Sequence, residues 1–219
     1  VVPLAAGGSR RAIALILPSL HSTETLRLFV ALSIPDEVKN RIETVQSELR
    51  WLLPQKTARW THREQFHLTL RFLGNVAVNR LDELVAAATT ACQSSDCLHL
   101  TAGRLGFFPE PRFPQVLWVG VKEEQDQLVS LWAAIELALR PFTEEPAEKD
   151  FTGHVTLARL NRLRRPEVDQ LTRAAAKYSD VVLGNWTSHS LEVMRSELLP
   201  QGSRHIVIAE LPLGKASVP

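Results

Sequence analysis

The stretch Phe66-His67-Leu68-Thr69-Leu70-Arg71-Phe72-Leu73-Gly74 alternates polar and apolar side chains over the length of a strand. Its centre, His-x-Thr-apolar, returns in the second half of the chain as His154-Val155-Thr156-Leu157. The two-residue period of a strand puts His67, Thr69 and Arg71 on one face, with Leu68, Leu70 and Phe72 behind. His154 and Thr156 likewise share a face, backed by Val155 and Leu157. Two such strands facing each other bring two imidazoles and two hydroxyls around one small volume. A histidine near its ordinary pKa of about 6.5 can hold or release a proton at neutral pH. One imidazole can therefore take a proton from water while the other gives one to a leaving alkoxide. The threonine hydroxyls can donate to phosphoryl oxygens whose charge grows in the transition state. This chemistry requires neither a carboxylate nor a metal.

Working outward, residues 26–32 form an apolar run of strand length, and Pro35-Asp36-Glu37 opens a helix striped by Val38, Ile42, Val45 and Leu49. The first motif strand is expected over residues 66–73, ended by Gly74-Asn75. A helix follows over 81–92, then strands at 98–105 and 115–121, separated by a turn rich in proline and aromatics at Phe107-Phe108-Pro109. A third helix is predicted over 123–139, a second motif strand beginning near Phe151, and a helix over 166–178. A closing hairpin joins residues 188–197 to 204–211. In each half the motif strand precedes a helix and two strands. The expected fold is α+β and bilobal. Two largely antiparallel sheets carry helices outside, and pseudo-two-fold-related lobes surround a central cleft.

The chain has 219 residues, 45% apolar and 22% charged, with a net charge of +1, which excludes a strongly basic protein of the histone type. Positive charge is carried by 19 arginines against 6 lysines. Cys92 and Cys97 make no metal or disulfide framework, so a reduced, cytoplasmic location is expected. No apolar run approaches the ~20 residues of a membrane span. Arg10-Arg11 and residues 12–17 look like a short export signal, but Pro18 breaks the run and no small-residue cleavage site follows Leu20. Residues 1–25 read as a disordered or over-extended leader, 26–213 as one domain and 214–219 as a tail.

The two motifs with their flanks, the first as quoted and the second as Phe151-Thr152-Gly153-His154-Val155-Thr156-Leu157-Ala158-Arg159, resemble the paired motifs of the 2H phosphoesterases. The nearest branch is the bacterial and archaeal RNA 2′,3′-cyclic phosphodiesterases, also called the 2′-5′ RNA ligase family. Arg27-Leu28-Phe29-Val30-Ala31-Leu32 and Leu198-Leu199-Pro200-Gln201-Gly202-Ser203-Arg204 are similar to that branch too. The resemblance implies a metal-independent hydrolysis of an RNA 2′,3′-cyclic phosphate to a 2′-phosphate, with no cofactor. It implies that His67 donates a proton to the departing 3′ oxygen, that His154 activates water, and that Thr69 and Thr156 hold the phosphate. It also implies that Arg159 touches the phosphate, although strict alternation turns that residue away from His154. Run backwards, the same chemistry would join RNA ends through a 2′-5′ bond. Thr152-Gly153 stands where relatives often have His-Pro, and His205 where they often have an aromatic residue. Both departures bear on substrate preference.

Arg71, Phe66 and Phe151 are further candidates for binding substrate, the aromatics by stacking on a nucleobase as Trp60 also could. Packing in the core is the competing reading for each aromatic. Arg159, Arg162, Arg164 and Arg165 form a basic run that could follow an RNA backbone or simply be solvated. His62-x-Glu64-x-x-His67 does not have the His-Glu-x-x-His spacing of a zinc protease. The expected partner is an RNA end bearing a 2′,3′-cyclic phosphate, with no DNA and no membrane, bound by a monomer. Two other readings remain. One is the same chemistry on a small nucleotide, such as a cyclic ADP-ribose phosphate or a 2′-5′ oligoadenylate. The other is an RNA-end-binding module without turnover.

Overall fold

A computed structural model describes residues 24–146, 150–199 and 202–214. The leader expected over 1–25 and the tail over 214–219 fall almost wholly outside the described residues. The apolar run at the start is strand β1 (Thr25–Leu32), whose last five residues are buried. Helix α1 (Asp36–Arg50) begins after Pro35 with two acidic residues and ends on a basic one, matching the helix dipole. Its apolar stripe is buried as expected, together with one polar residue, Gln46. Strands β2 (Ala58–Trp60) and β3 (Leu68–Ala77), helix α2 (Leu81–Cys92), and strands β4 (Leu98–Phe108) and β5 (Val116–Lys122) follow. The chain then forms α3 (Gln127–Leu139), β6 (His154–Leu160), α4 (Arg165–Ala176), and strands β7 (Val182–Ser188), β8 (Ser190–Leu199) and β9 (Gly202–Pro212).

The strands make two antiparallel sheets, ordered β3-β1-β8-β9 and β2-β6-β5-β4-β7. Each sheet contains a pair from one half of the chain, β1 with β3 and β5 with β6. Each pair is then extended by strands from the other half. Thus β4 of the first half lies beside β5, and β8 of the second half lies beside β1. Helices α2 and α3 pack on the first sheet, α1 and α4 on the second. The two halves are related by a pseudo-two-fold and are interlocked, as the repeated order of elements predicts.

Several boundaries differ from the sequence expectation, each for a local reason. Gly74 lies inside β3 with φ 66°, at a register shift against β1, so it kinks the strand instead of ending it. Phe107 and Phe108 belong to β4, not to the turn. Helix α3 starts at Gln127 because the Glu123 carboxylate accepts the backbone N–H groups of Gln125, Gln127 and Leu128, capping the helix from outside. Two strands escaped the pattern. β2 is three residues long, and β7 contains Gly184 and Asn185, which read as breakers. At Gly184 a Cβ would come within 2.7 Å of the Val38 side chain, so glycine is what lets α1 cross β7.

Candidate active site

Strands β3 and β6 face each other across a cleft of about 610 Å³, which both histidines and both threonines line. His67 immediately precedes β3 and His154 opens β6. Each histidine is held the same way: Nδ1 of His67 lies 2.6 Å from the Gln65 carbonyl, and Nδ1 of His154 lies 2.8 Å from the Thr152 carbonyl. A carbonyl can only accept, so Nδ1 carries the hydrogen in both rings and Nε2 is the nitrogen that can exchange protons with substrate. Thr69 and Thr156 follow two residues later, on the same cleft face.

Beyond each threonine the alternation breaks at the same place. Thr69 pairs with Ala31 and Arg71 with Val30, so Leu70 is an extra residue in β3. Thr156 pairs with Trp118 and Ala158 with Leu117, so Leu157 is the extra residue in β6. Each bulge turns the following side chains over. Arg159 is thereby brought to the cleft, as its expected contact requires. At the matching position of β3 the residue brought round is Phe72, which is 49% exposed and lines the cleft despite its expected place on the buried face.

The same displacement removes Arg71 from the site. It is only 5% exposed and forms an ion pair with Glu136 of α3 at 3.2 Å. It also donates to the carbonyls of Glu145 and Pro146, both at 2.7 Å, so it fastens the loop before β6 to the back of β3. Phe66 and Phe151 are not at the cleft either. Phe66 sits one residue before His67 and points into the core, 2% exposed. Phe151 stacks on Trp132 of α3, with ring centroids 5.3 Å apart. In the basic run, Arg164 is paired with Glu167 and Arg165 with Asp169, within the first turns of α4.

The two histidines stand in unlike surroundings. His67 contacts Phe29 and, edge-on, His205 of β9, with centroids 4.9 Å and 5.1 Å away. Burial, followed by the charge of His205, pushes His67 down to about 4; the Gln65 carbonyl opposes this, while His154 and Lys39 add to it. His205 is itself lowered by burial, and its Nδ1 is buried without a hydrogen-bond partner. His154 meets the edge of Phe108 at 5.0 Å and lies 6.2 Å from Trp118.

Two glutamines bind the site together. Gln46 of α1, 6% exposed, donates from Nε2 to the Thr61 carbonyl at 2.8 Å and to the Leu157 carbonyl at 3.0 Å. It thereby links the approach to the first motif with the bulge of the second. Gln65 Nε2 donates to the carbonyl of Ser203 and, at 2.9 Å, to its hydroxyl, tying the first motif to the β8–β9 hairpin. Trp60, Arg59, Arg27, Phe108 and His205 also line the cleft. Among these the sequence singled out only Trp60 and His205. Arg59 needed β2 to be recognised, and Phe108 needed β4 to extend beyond residue 105. Among the described residues no three His, Cys, Asp or Glu side chains are grouped to hold a metal ion.

Known proteins share this arrangement of strands and helices. Residues 32–118 match the family described as LigT like Phosphoesterase. A protein of Archaeoglobus fulgidus named RNA 2′,3′-cyclic phosphodiesterase is 30% identical over 180 residues, covering 81% of this chain and 94% of that one. One of the same name from Aquifex aeolicus is 25% identical over 192 residues, covering 87% and 99%. Among solved structures, TT0787 of Thermus thermophilus superposes with a TM-score of 0.70 at 24% identity, over 87% of this chain and 100% of that one. Escherichia coli LigT complexed with 3′-AMP superposes with a TM-score of 0.68 at 21% identity, over 87% and 99%. By its identity with the Archaeoglobus protein, whose length it nearly spans, and by its match to the family model, the chain belongs to the LigT-like phosphoesterases of the 2H superfamily.

Proposed function

We propose that this protein is an RNA 2′,3′-cyclic phosphodiesterase that opens a terminal cyclic phosphate to a 2′-phosphate. The observation that carries this reading is the matched pair of imidazoles, each with Nδ1–H fixed to the carbonyl two residues earlier and each followed by a threonine in one cleft. His154 Nε2 takes a proton from water as the water oxygen bonds to phosphorus. The bond from phosphorus to the 3′ oxygen breaks, and His67 Nε2 gives that oxygen a proton. Thr69, Thr156 and Arg159 hold the non-bridging oxygens as their charge rises. Without substrate His67 is neutral at physiological pH. A phosphate beside it acts in the opposite sense to burial, favouring the protonated ring, so the donor's proton is taken up with the substrate.

The relatives' shared name supports RNA as the substrate class, and formation of the cyclic phosphate needs a 2′-hydroxyl, which DNA lacks. No helix among the described residues is long and apolar enough to cross a membrane. The proposed setting is the cytoplasm, with the enzyme acting as a monomer and without metal; the reverse step would make a 2′-5′ link. The test is incubation with an oligoribonucleotide ending in a 2′,3′-cyclic phosphate. A 2′-phosphate product, unaffected by EDTA, is expected. A 3′-phosphate product would reverse the leaving group, and no turnover would leave an RNA-end-binding module.

A further inference from the structure

We infer that the cleft continues into a second binding site, the hollow beside β2, which holds the nucleotides upstream of the RNA end. This rests on the cyclic-phosphodiesterase reading and makes the substrate an oligonucleotide, not a free nucleotide. The path starts where β2 meets β6. Arg59 and Arg159 are direct cross-strand partners, and both line the catalytic cleft. Like charges opposite each other weaken a strand pair. Neither arginine has a carboxylate partner among the described residues. Phosphate between or alongside them removes that repulsion.

Trp60, the next residue, lines both the catalytic cleft and a second cavity of about 410 Å³. That volume lies within the usual range for small-ligand sites, about 300–1,000 Å³. The Arg50 guanidinium lies 5.6 Å from the Trp60 ring centroid. The cavity is further lined by Trp51 and Lys56, and no acidic residue among the described residues borders it. Trp51 is 89% exposed, the most exposed large apolar side chain among the described residues. The loop carrying these groups is pinned by backbone hydrogen bonds from Leu52 to Leu49, Leu53 to Arg50 and Thr57 to Pro54. An exposed ring at Trp51 and a half-buried one at Trp60, interleaved with cations in a hollow that no described carboxylate borders, suit single-stranded RNA: bases stack on the rings and phosphates meet the cations. Arg50, Trp51 and Lys56 line the hollow, Arg59 and Arg159 the catalytic cleft, and Trp60 borders both.

The test uses the full chain, a labelled hexaribonucleotide ending in a 2′-phosphate and the corresponding mononucleotide, with binding followed by anisotropy and by competition. Binding needs no turnover, so its result is separate from the hydrolysis assay that tests the cyclic-phosphodiesterase reading. The wild-type protein is expected to bind the hexamer at least about tenfold more tightly than the mononucleotide. Trp51→Ala removes about tenfold of that advantage, while Trp51→Tyr, which keeps a stacking face, retains most of it. Lys56→Gln lowers the slope of log affinity against log salt by about one. Equal affinity for the two ligands in the wild type overturns the inference, as does a Trp51→Ala protein that binds the hexamer as the wild type does.

Discussion

His67 and His154 make the same hydrogen bond to the backbone, yet one is packed between Phe29 and His205 and the other lies against Phe108 and Trp118. Replacing either with alanine is expected to cost on the order of 10²–10⁴-fold or more in kcat, with the fold retained by circular dichroism. Full activity in either variant would end the two-histidine mechanism. The environment of His67 gives a second expectation. Because its ordinary value of 6.5 is lowered to about 4 in the free protein, a donor role makes kcat/KM decline as pH rises above that value. The decline in kcat, which reports the occupied site, comes at higher pH. His205→Phe keeps an aromatic against Phe29 and removes a charge that opposes protonation of His67. The falling limb of kcat/KM should then move to higher pH, measured on the same cyclic-phosphate oligonucleotide. A limb that stays in place removes His205 from the proton balance, and a rising limb that moves instead makes His67 the base.

Elements set how these side chains are aimed. The paired bulges at Leu70 and Leu157 were not visible in the repeated motif, because an extra residue in a strand changes no local composition. They depend on how β1 and β5 pair with the motif strands. For that reason the four residues before each bulge ends, His67 to Leu70 and His154 to Leu157, follow simple alternation. Arg71, Phe72 and Arg159, which come after it, are turned over. The apolar periodicity of α1 was legible because the helix buries one stripe, and α2 was legible from its alanine-rich run; β2 was not, being too short for any period to register. Gln46 was also hidden in the sequence, since a lone glutamine within an apolar helical stripe gives no sign of its partners. Gln46→Leu leaves the Thr61 carbonyl without this donor and should cost about 1–3 kcal/mol of stability by denaturant unfolding. It should also lower activity without contact with substrate. Unchanged stability would show that another donor takes its place.

At the scale of the molecule, each sheet borrows strands from the other half of the chain. The first half cannot complete its sheet without β8 and β9, and the second lacks β4 until the first supplies it. The expected outcome is one cooperative thermal transition, with near-ultraviolet dichroism and activity lost together, and no independent fold in a fragment ending between β4 and β5. Two separated transitions would contradict this coupling. The fold class and the interlocking were readable from element order, while the exchange of strands followed only from the pairing.

The paired dislocations also govern which way round a ligand lies. Two walls built on the same plan carry the same histidine and threonine, differently packed, and then part company further, an aromatic plate at Phe72 on one side and a cation at Arg159 on the other. A ligand entering a fully symmetric cleft could lie in either sense and yield either product. A nucleotide end is itself lopsided, with a base on one flank and a charged chain on the other. In the proposed mechanism the difference between the two walls gives such an end a head and a tail, and so sets which of the two ribose oxygens faces His67.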